Sequence, residues 1–86
     1  MFFYVYVLRN GDGKRYVGFT TDLRRRLEEH NAGQNLSTKP YRPWTLIFYE
    51  AFLSEADAKR RERYLKTTQG RRALTVMLRE YFNANN

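Results

Sequence analysis

Glu62 is the only acid between Lys59 and Arg72, in the stretch Lys59-Arg60-Arg61-Glu62-Arg63-Tyr64-Leu65-Lys66. A lone carboxylate in cationic surroundings has two uses. It can hold a hard divalent cation against a phosphate, with water completing an oxygen shell of the kind magnesium takes. It can also pair with Lys66 one helical turn on, and spacing alone favours that plainer use. Tyr6 and Tyr16 flank Asn10-Gly11-Asp12-Gly13, a dense turn signal. If the turn centres on Gly11 or Asp12, paired positions have an even sum and both phenols project from one sheet face. A two-residue turn at Gly11-Asp12 gives an odd sum and separates them. Taken alone, the two tyrosines read simply as residues that suit strands.

Arg24-Arg25-Arg26 follows the hairpin, with His30, the single histidine, four residues beyond Arg26. Consecutive helical positions are about 100° apart, so the three arginines cannot share a direction. Arg26 lies nearest the inward edge marked by Leu23 and Leu27. Arg24 and Arg25 are better placed for solvent, for Glu28 and Glu29, or for a phosphate backbone. His30 is either a base near neutral pH or a helix C-terminal histidine favoured by the macrodipole. One histidine and no cysteine cannot build a multi-histidine or thiolate zinc site. The absence of cysteine also removes disulfides and a cysteine nucleophile. No strand-to-helix phosphate loop, no inward carboxylate pair and no serine in a triad context is present.

These residues need elements to position them. Phe3 to Leu8 is aromatic and β-branched and predicts a strand; Arg15 to Thr20 is its return. Thr21-Asp22 caps a helix over about Leu23 to Asn31, stopped by Gly33. Gln34 to Pro43 reads as a polar loop and Trp44 to Phe52 as the third strand. Ser54, with Asp57 three residues on, opens a second helix that ends near Lys66 to Gln69. Gly70 is expected to break the chain. A third helix follows over about Arg71 to Phe82, with Leu74, Met77, Leu78, Tyr81 and Phe82 as its apolar stripe. The order is ββαβαα. The fold class is α+β, a three-stranded largely antiparallel sheet flanked by helices, with residues 1–82 as one domain and 83–86 as a frayed tail.

The 86 residues carry 16 Lys+Arg against 9 Asp+Glu, a net charge of +7 with pI near 10.1. A small domain this basic meets polyanions, nucleic acid first and an anionic membrane surface second. The longest apolar run, Phe2 to Leu8, is far short of the roughly 20 residues that span a bilayer, and it lacks the basic start of a signal peptide. A cytoplasmic location is expected.

Together these residues resemble the GIY-YIG nuclease superfamily. Tyr4-Val5-Tyr6 and Tyr16-Val17-Gly18 stand as its two motifs, and ten residues separate Tyr6 from Tyr16 and Tyr16 from Arg26. Arg26-Leu27, His30-Asn31 and the stretch from Ala58 through Glu62 to Leu65-Lys66 extend the likeness over about Phe3 to Lys66. It is strongest to the small stand-alone bacterial members. Tyr4 replaces the first glycine of the family pattern, a change a strand tolerates. The resemblance implies hydrolysis of a phosphodiester with a divalent cation, Mg2+ or Mn2+, held by Glu62 as the only protein ligand. It implies that Arg26 holds the scissile phosphate, that Tyr6 and Tyr16 orient or activate water, and that His30 joins their network. Substrate binding falls to Gly18, which leaves room for the substrate backbone, and to Arg24, Arg25 and Lys66.

The expected activity is a metal-dependent endonuclease on nucleic acid, DNA ahead of RNA. The basic segment from Lys59 to Arg72, with Lys39, Arg42, Tyr41 and Trp44, would grip the strand through phosphates and stacking. Larger members of the superfamily carry a separate targeting domain, which here would come from a larger protein partner. The rival reading is a basic nucleic-acid-binding module that does not cut. The nuclease reading requires Tyr6, Tyr16, Arg26 and Glu62 to converge on one concave patch.

Overall fold

A computed structural model of the chain describes residues 1–85. Its strands are β1 (Phe3–Asn10), β2 (Arg15–Thr20) and β3 (Trp44–Phe52), and its helices are α1 (Leu23–Asn31), α2 (Glu55–Leu65), α3 (Thr68–Met77) and α4 (Arg79–Ala84). The sheet is antiparallel with order β2-β1-β3, so β1 is central and β2 an edge. Tyr4 pairs with Thr20 and Tyr6 with Gly18, which places the hairpin centre at Asp12 and gives the even sum that puts Tyr6 and Tyr16 on one face. The turn forms because Asn10 Oδ1 accepts from the backbone N–H of Asp12 and Lys14, while Gly13 takes a positive φ of 84°.

Helices cover both sheet faces, which explains why β1 is buried along most of its length rather than alternately. Val5 and Val7 face α2 and α3, in a core with Val17, Ala58, Leu65 and Leu74. Tyr6 and Leu8 face the other way, with Trp44, Leu23 and Leu27, under α1. A bulge in the β1–β3 pairing, between Val7 and Leu8, lets Leu46 and Trp44 join the α1 face while Ile47 packs on the α2 side. Each fully buried aliphatic side chain here contributes roughly 1.5–3 kcal/mol relative to exposure. A bidentate ion pair from Arg61 to Glu50, at 2.8 and 3.2 Å, fixes α2 on β3. Among the described residues, no helix is long and apolar enough to cross a membrane.

Three expectations change. Gly70 does not break the chain but lies buried in the first turn of α3, whose cap is Thr67 accepting from Gly70 N. Its purpose is close approach: a Cβ there would overlap the Tyr64 carbonyl oxygen and come within 2.7 Å of Leu65 Cα. The single last helix is divided at Leu78, whose φ and ψ of −109° and 25° leave the helical region. Leu74, Leu78 and Phe82 still face inward, but Met77 is turned outward, where its sulfur meets Arg61. The expected frayed tail is helical through Ala84, and Arg9 donates to the Asn85 carbonyl at 3.0 Å; Asn86 lies outside the described residues.

Gly70→Ala must therefore separate α2 from α3. Denaturant unfolding is expected to show a loss of roughly 1–3 kcal/mol, the usual range for overpacking a tight contact. A helix-propensity gain in place of that loss would mean the contact is not limiting.

Candidate active site

Asp22 starts α1 by accepting from Arg25 N at 3.1 Å, and that start sets the helical phase. Arg26 and His30, one turn apart, consequently both face the Tyr6 phenol. Arg26 Nε donates to Tyr6 Oη at 3.3 Å, and Tyr6 Oη lies 2.8 Å from His30 Nε2. The second imidazole nitrogen, Nδ1, lies 2.8 Å from Thr38 Oγ1, and the Thr38 hydroxyl points on to the Asn35 carbonyl at 3.4 Å. With the Thr38 proton directed at Asn35, Nδ1–H donates to Thr38 and Nε2 is left to accept the Tyr6 proton. His30 and Thr38 are buried. Arg26 is anchored on its outer side by Glu29 at 2.9 Å, which leaves Nη2 without a protein partner among the described residues.

Tyr16 completes the cluster. Its ring centroid is 5.0 Å from that of His30 and 6.4 Å from that of Tyr6. Lys66 Nζ lies 5.9 Å from the Tyr16 centroid and 3.1 Å from Glu62 Oε2. The carboxylate thus adjoins the phenols through Lys66, which pairs with Glu62 and lies over the Tyr16 ring, although α2 packs on the other sheet face. The route runs round β2, an edge strand, so side chains from helices on both faces can meet beyond it. The intrahelical pair that spacing favours is present, in the same neighbourhood as the tyrosines.

Electrostatics follows from burial. Tyr6 is pushed up to about 12, mainly by burial, reinforced by Tyr16 and Glu62 and opposed by Arg26. His30 is held below its usual 6.5, first by burial and then by the Arg26 charge, with Glu29 opposing. Arg26 is shifted further upward, above all by its bond to Glu29. At neutral pH the network is therefore a neutral phenol between a neutral imidazole and a guanidinium. Glu62 is half-buried, with Oε2 on Lys66 and Oε1 free of protein partners among the described residues. One such carboxylate suits a hard cation that keeps most of its water. No group of three or more metal-ligating side chains exists among the described residues, so a cage made wholly of protein is not built.

The structure brings together Tyr6, Tyr16, Gly18, Arg26, His30, Glu62 and Lys66. Gly18 does so differently from the expectation of room for a substrate backbone. The space its Cβ would need is filled by the Tyr6 ring, with Oη and Cζ in contact and Cε1 at 2.8 Å. Arg24 and Arg25 are not part of the cluster; they are exposed on the outer side of α1, with Arg25 3.8 Å from Glu29. Trp44 is only 4% exposed and cannot stack on a base; its indole N–H donates to the Thr38 carbonyl at 3.0 Å. Tyr41 lies under Lys14, 4.5 Å from its ammonium. Thr38, which orients His30, carries no signal in the sequence; Glu29, expected beside the outer arginines, also anchors Arg26, and Asn31, beside His30 in the motif, clasps the backbone of Trp44 at both N–H and C=O.

A family model described as the GIY-YIG catalytic domain matches residues 2–74. A UPF0213 protein of Staphylococcus haemolyticus is 37% identical over 75 residues, covering 86% of this chain and 92% of its own. A UPF0213 protein of Halobacterium salinarum is 45% identical over 64 residues, covering 73% and 83%. The solution NMR structure of a UPF0213 protein from Bacillus halodurans superposes with a TM-score of 0.57 at 34% identity, covering 90% of this chain and 85% of that one.

The buried network makes two expectations measurable. Tyr6→Phe strands His30 Nε2 and Arg26 Nε, and unfolding should show a loss of roughly 1–3 kcal/mol. His30 is neutral in the fold, with its pKa below the usual 6.5. As pH falls through about 6.5 the unfolded chain gains a proton that the folded chain does not, so stability is full above that value and declines below it. Thermal unfolding from about pH 8 to about pH 5 should show this decline, and His30→Gln should flatten it; equal slopes would assign the decline to other groups.

Proposed function

The chain belongs to the GIY-YIG catalytic-domain family, and from that premise we propose that it is a divalent-metal-dependent endonuclease that hydrolyses phosphodiesters in nucleic acid, DNA ahead of RNA. One observation carries the reading. Tyr6, Tyr16, Arg26, His30, Lys66 and Glu62 come from four separate elements and meet in one set of contacts.

Each residue has a task that its geometry suits. Arg26 offers Nη2 to a phosphate oxygen and opposes the negative charge that develops when the phosphorus is attacked. Attacking water gives its proton to Tyr6 Oη as the phenol passes its own proton to His30 Nε2, 2.8 Å away. Tyr6 is too weak an acid to rest as phenolate, so this exchange through His30 is what lets it act as a base. Arg26 holds the phenol oxygen throughout, and Thr38 holds the far imidazole nitrogen. Tyr16 packs against His30 and Tyr6 and limits where the water can stand. Glu62 would hold the divalent cation, which when bound would supply positive charge as the phosphorus–oxygen bond breaks, and the departing alkoxide takes its proton from solvent.

The Lys66–Glu62 ion pair supports a second reading, a module that grips nucleic acid without cutting it. Plasmid nicking separates the two. Under the nuclease reading, nicking requires Mg2+ or Mn2+ and falls at least about a hundredfold in Glu62→Ala and in Arg26→Ala, with circular dichroism and melting temperature retained. Nicking that persists in both variants comes from a contaminant, and the enzyme reading falls. A wild-type chain that binds but never nicks, with Glu62→Gln binding equally or better, establishes the module instead.

A further inference from the structure

Several cations of this chain are matched by carboxylates: Arg26 by Glu29, Arg60 by Asp57, Arg61 by Glu50 and Arg79 by Glu80. A different situation holds between β2 and the first half of α3. A cleft of about 670 Å³ there is lined by Lys14, Arg15, Lys66, Arg71 and Arg72, with no acid among its lining residues. Of these five, only Lys66 has a carboxylate partner among the described residues. Arg15 forms part of the wall, donating to Thr75 Oγ1 at 2.8 Å and stacking 4.4 Å over the Phe82 ring, yet its buried Nη1 has no hydrogen-bond partner among the described residues. Burial, then Arg9 and Arg71, pull its pKa down, the mark of a cation among cations. Like charges gathered in a concavity repel one another, and an anion entering it relieves that repulsion.

The remaining lining narrows the kind of anion. Tyr16, half-buried, presents an aromatic ring beside the cations, whereas Val17 and Leu74 belong to the core, and a ring beside cations suits a phosphate that carries a sugar and base better than a bare ion. Tyr16 and Lys66 belong to this cleft and to the catalytic cluster alike, so the cleft opens directly beside the place where a scissile phosphate would lie. We propose that the cleft is a second phosphate site, which takes a non-scissile phosphodiester of the bound strand next to the one attacked. The identity of the ligand as a nucleic-acid strand rests on the nuclease reading; the preference for a substituted phosphate rests on the cleft itself.

The test reads binding rather than cleavage. In Glu62→Gln protein with a chelator present, fluorescence anisotropy measures affinity for a labelled oligonucleotide across a salt series. Arg71→Gln and Arg72→Gln are each expected to weaken binding about fivefold to tenfold near 0.1 M salt and to lower the salt slope by about 0.7–0.9. Arg79→Gln removes the same charge from an exposed helix outside the cleft and should change affinity less than about twofold. A scan of single methylphosphonates, each neutralising one phosphate, should find a position that weakens the parent protein but not Arg72→Gln, and this position should differ from the bond that active protein cuts. Equal losses for Arg72→Gln and Arg79→Gln overturn the proposal, as does a sensitive position that coincides with the cut. Inorganic phosphate that saturates the cleft without displacing the oligonucleotide also overturns it, and assigns the cleft to a free anion. If wild-type protein never cuts yet the arginine variants still lose oligonucleotide affinity, the nuclease reading fails and the cleft stands.

Discussion

One buried oxygen, that of the Tyr6 phenol, is where the constraints of this fold meet. It lies within hydrogen-bond reach of a guanidinium and an imidazole, both carried by α1. Arg26 and His30 must be four residues apart on a helix of fixed phase, and that helix must sit on the Tyr6 side of the sheet. Gly18 must lack a side chain, because the phenol passes over it. Thr38 must close the far side of the imidazole, which ties down a loop without regular structure over most of its length. That loop is tied in turn by the Trp44 indole on the Thr38 carbonyl and by Asn31 clasping Trp44. Each bond satisfies a polar group that would otherwise be stranded away from water, and the penalty for stranding exceeds the net gain from making the bond. The network therefore works mainly as a constraint on which arrangements are tolerable.

Sheet order explains where a site of this kind can form. β1 is covered on both faces, so its middle residues, Val5 to Leu8, are accessible only through a neighbouring strand. β2 is short, lies at the edge and carries a glycine opposite Tyr6, so a central-strand phenol can reach past it. Two helices on opposite faces then supply complementary chemistry at that edge. α1 brings a guanidinium and an imidazole, and α2 brings a carboxylate with its lysine. An acid on the helix of the opposite face is thus no obstacle to a shared site, provided the sheet ends there.

Much of this was legible in the residues, for particular reasons. The residues narrowed the placement of Tyr6 and Tyr16 to two parities of the Asn10–Gly13 turn, because strand geometry has a strict period of two, and the structure takes the even one. Leu23 and Leu27 set the phase of α1 and with it the inward edge for Arg26. Glu62 stood out by charge contrast. What escaped was set by tertiary contact. Gly70 looks like a breaker in one dimension and is a close-packing residue in three. The apolar stripe beyond it continues across Leu78, so periodicity passes over a break that only the backbone angles reveal. Thr38 sits among polar loop residues, and nothing local marks it as the partner of a buried histidine eight positions earlier. Trp44 looks free to stack in the sequence, because burial of a strand's first residue depends on the loop that returns over it.

The distribution of charge separates gripping from chemistry. Within the cluster around Tyr6 and Tyr16 the cations have local counter-charges: Glu29 lies on Arg26 and Glu62 on Lys66. The cluster is nearly balanced, and its power to attract a polyanion is correspondingly small at separations beyond a Debye length, about 10 Å in 0.1 M salt. The net charge of +7 must then act from elsewhere, and Lys14, Arg15, Arg71 and Arg72, unmatched among the described residues, line the cleft beside the cluster. Such an arrangement has a physical advantage. A guanidinium that attracts a polyanion would be oriented by the first anionic group it met, whereas Arg26 is already held in place by Glu29 and Tyr6. Preorganised groups do not reorganise as charge develops, which is the condition under which one guanidinium contributes most to a transition state.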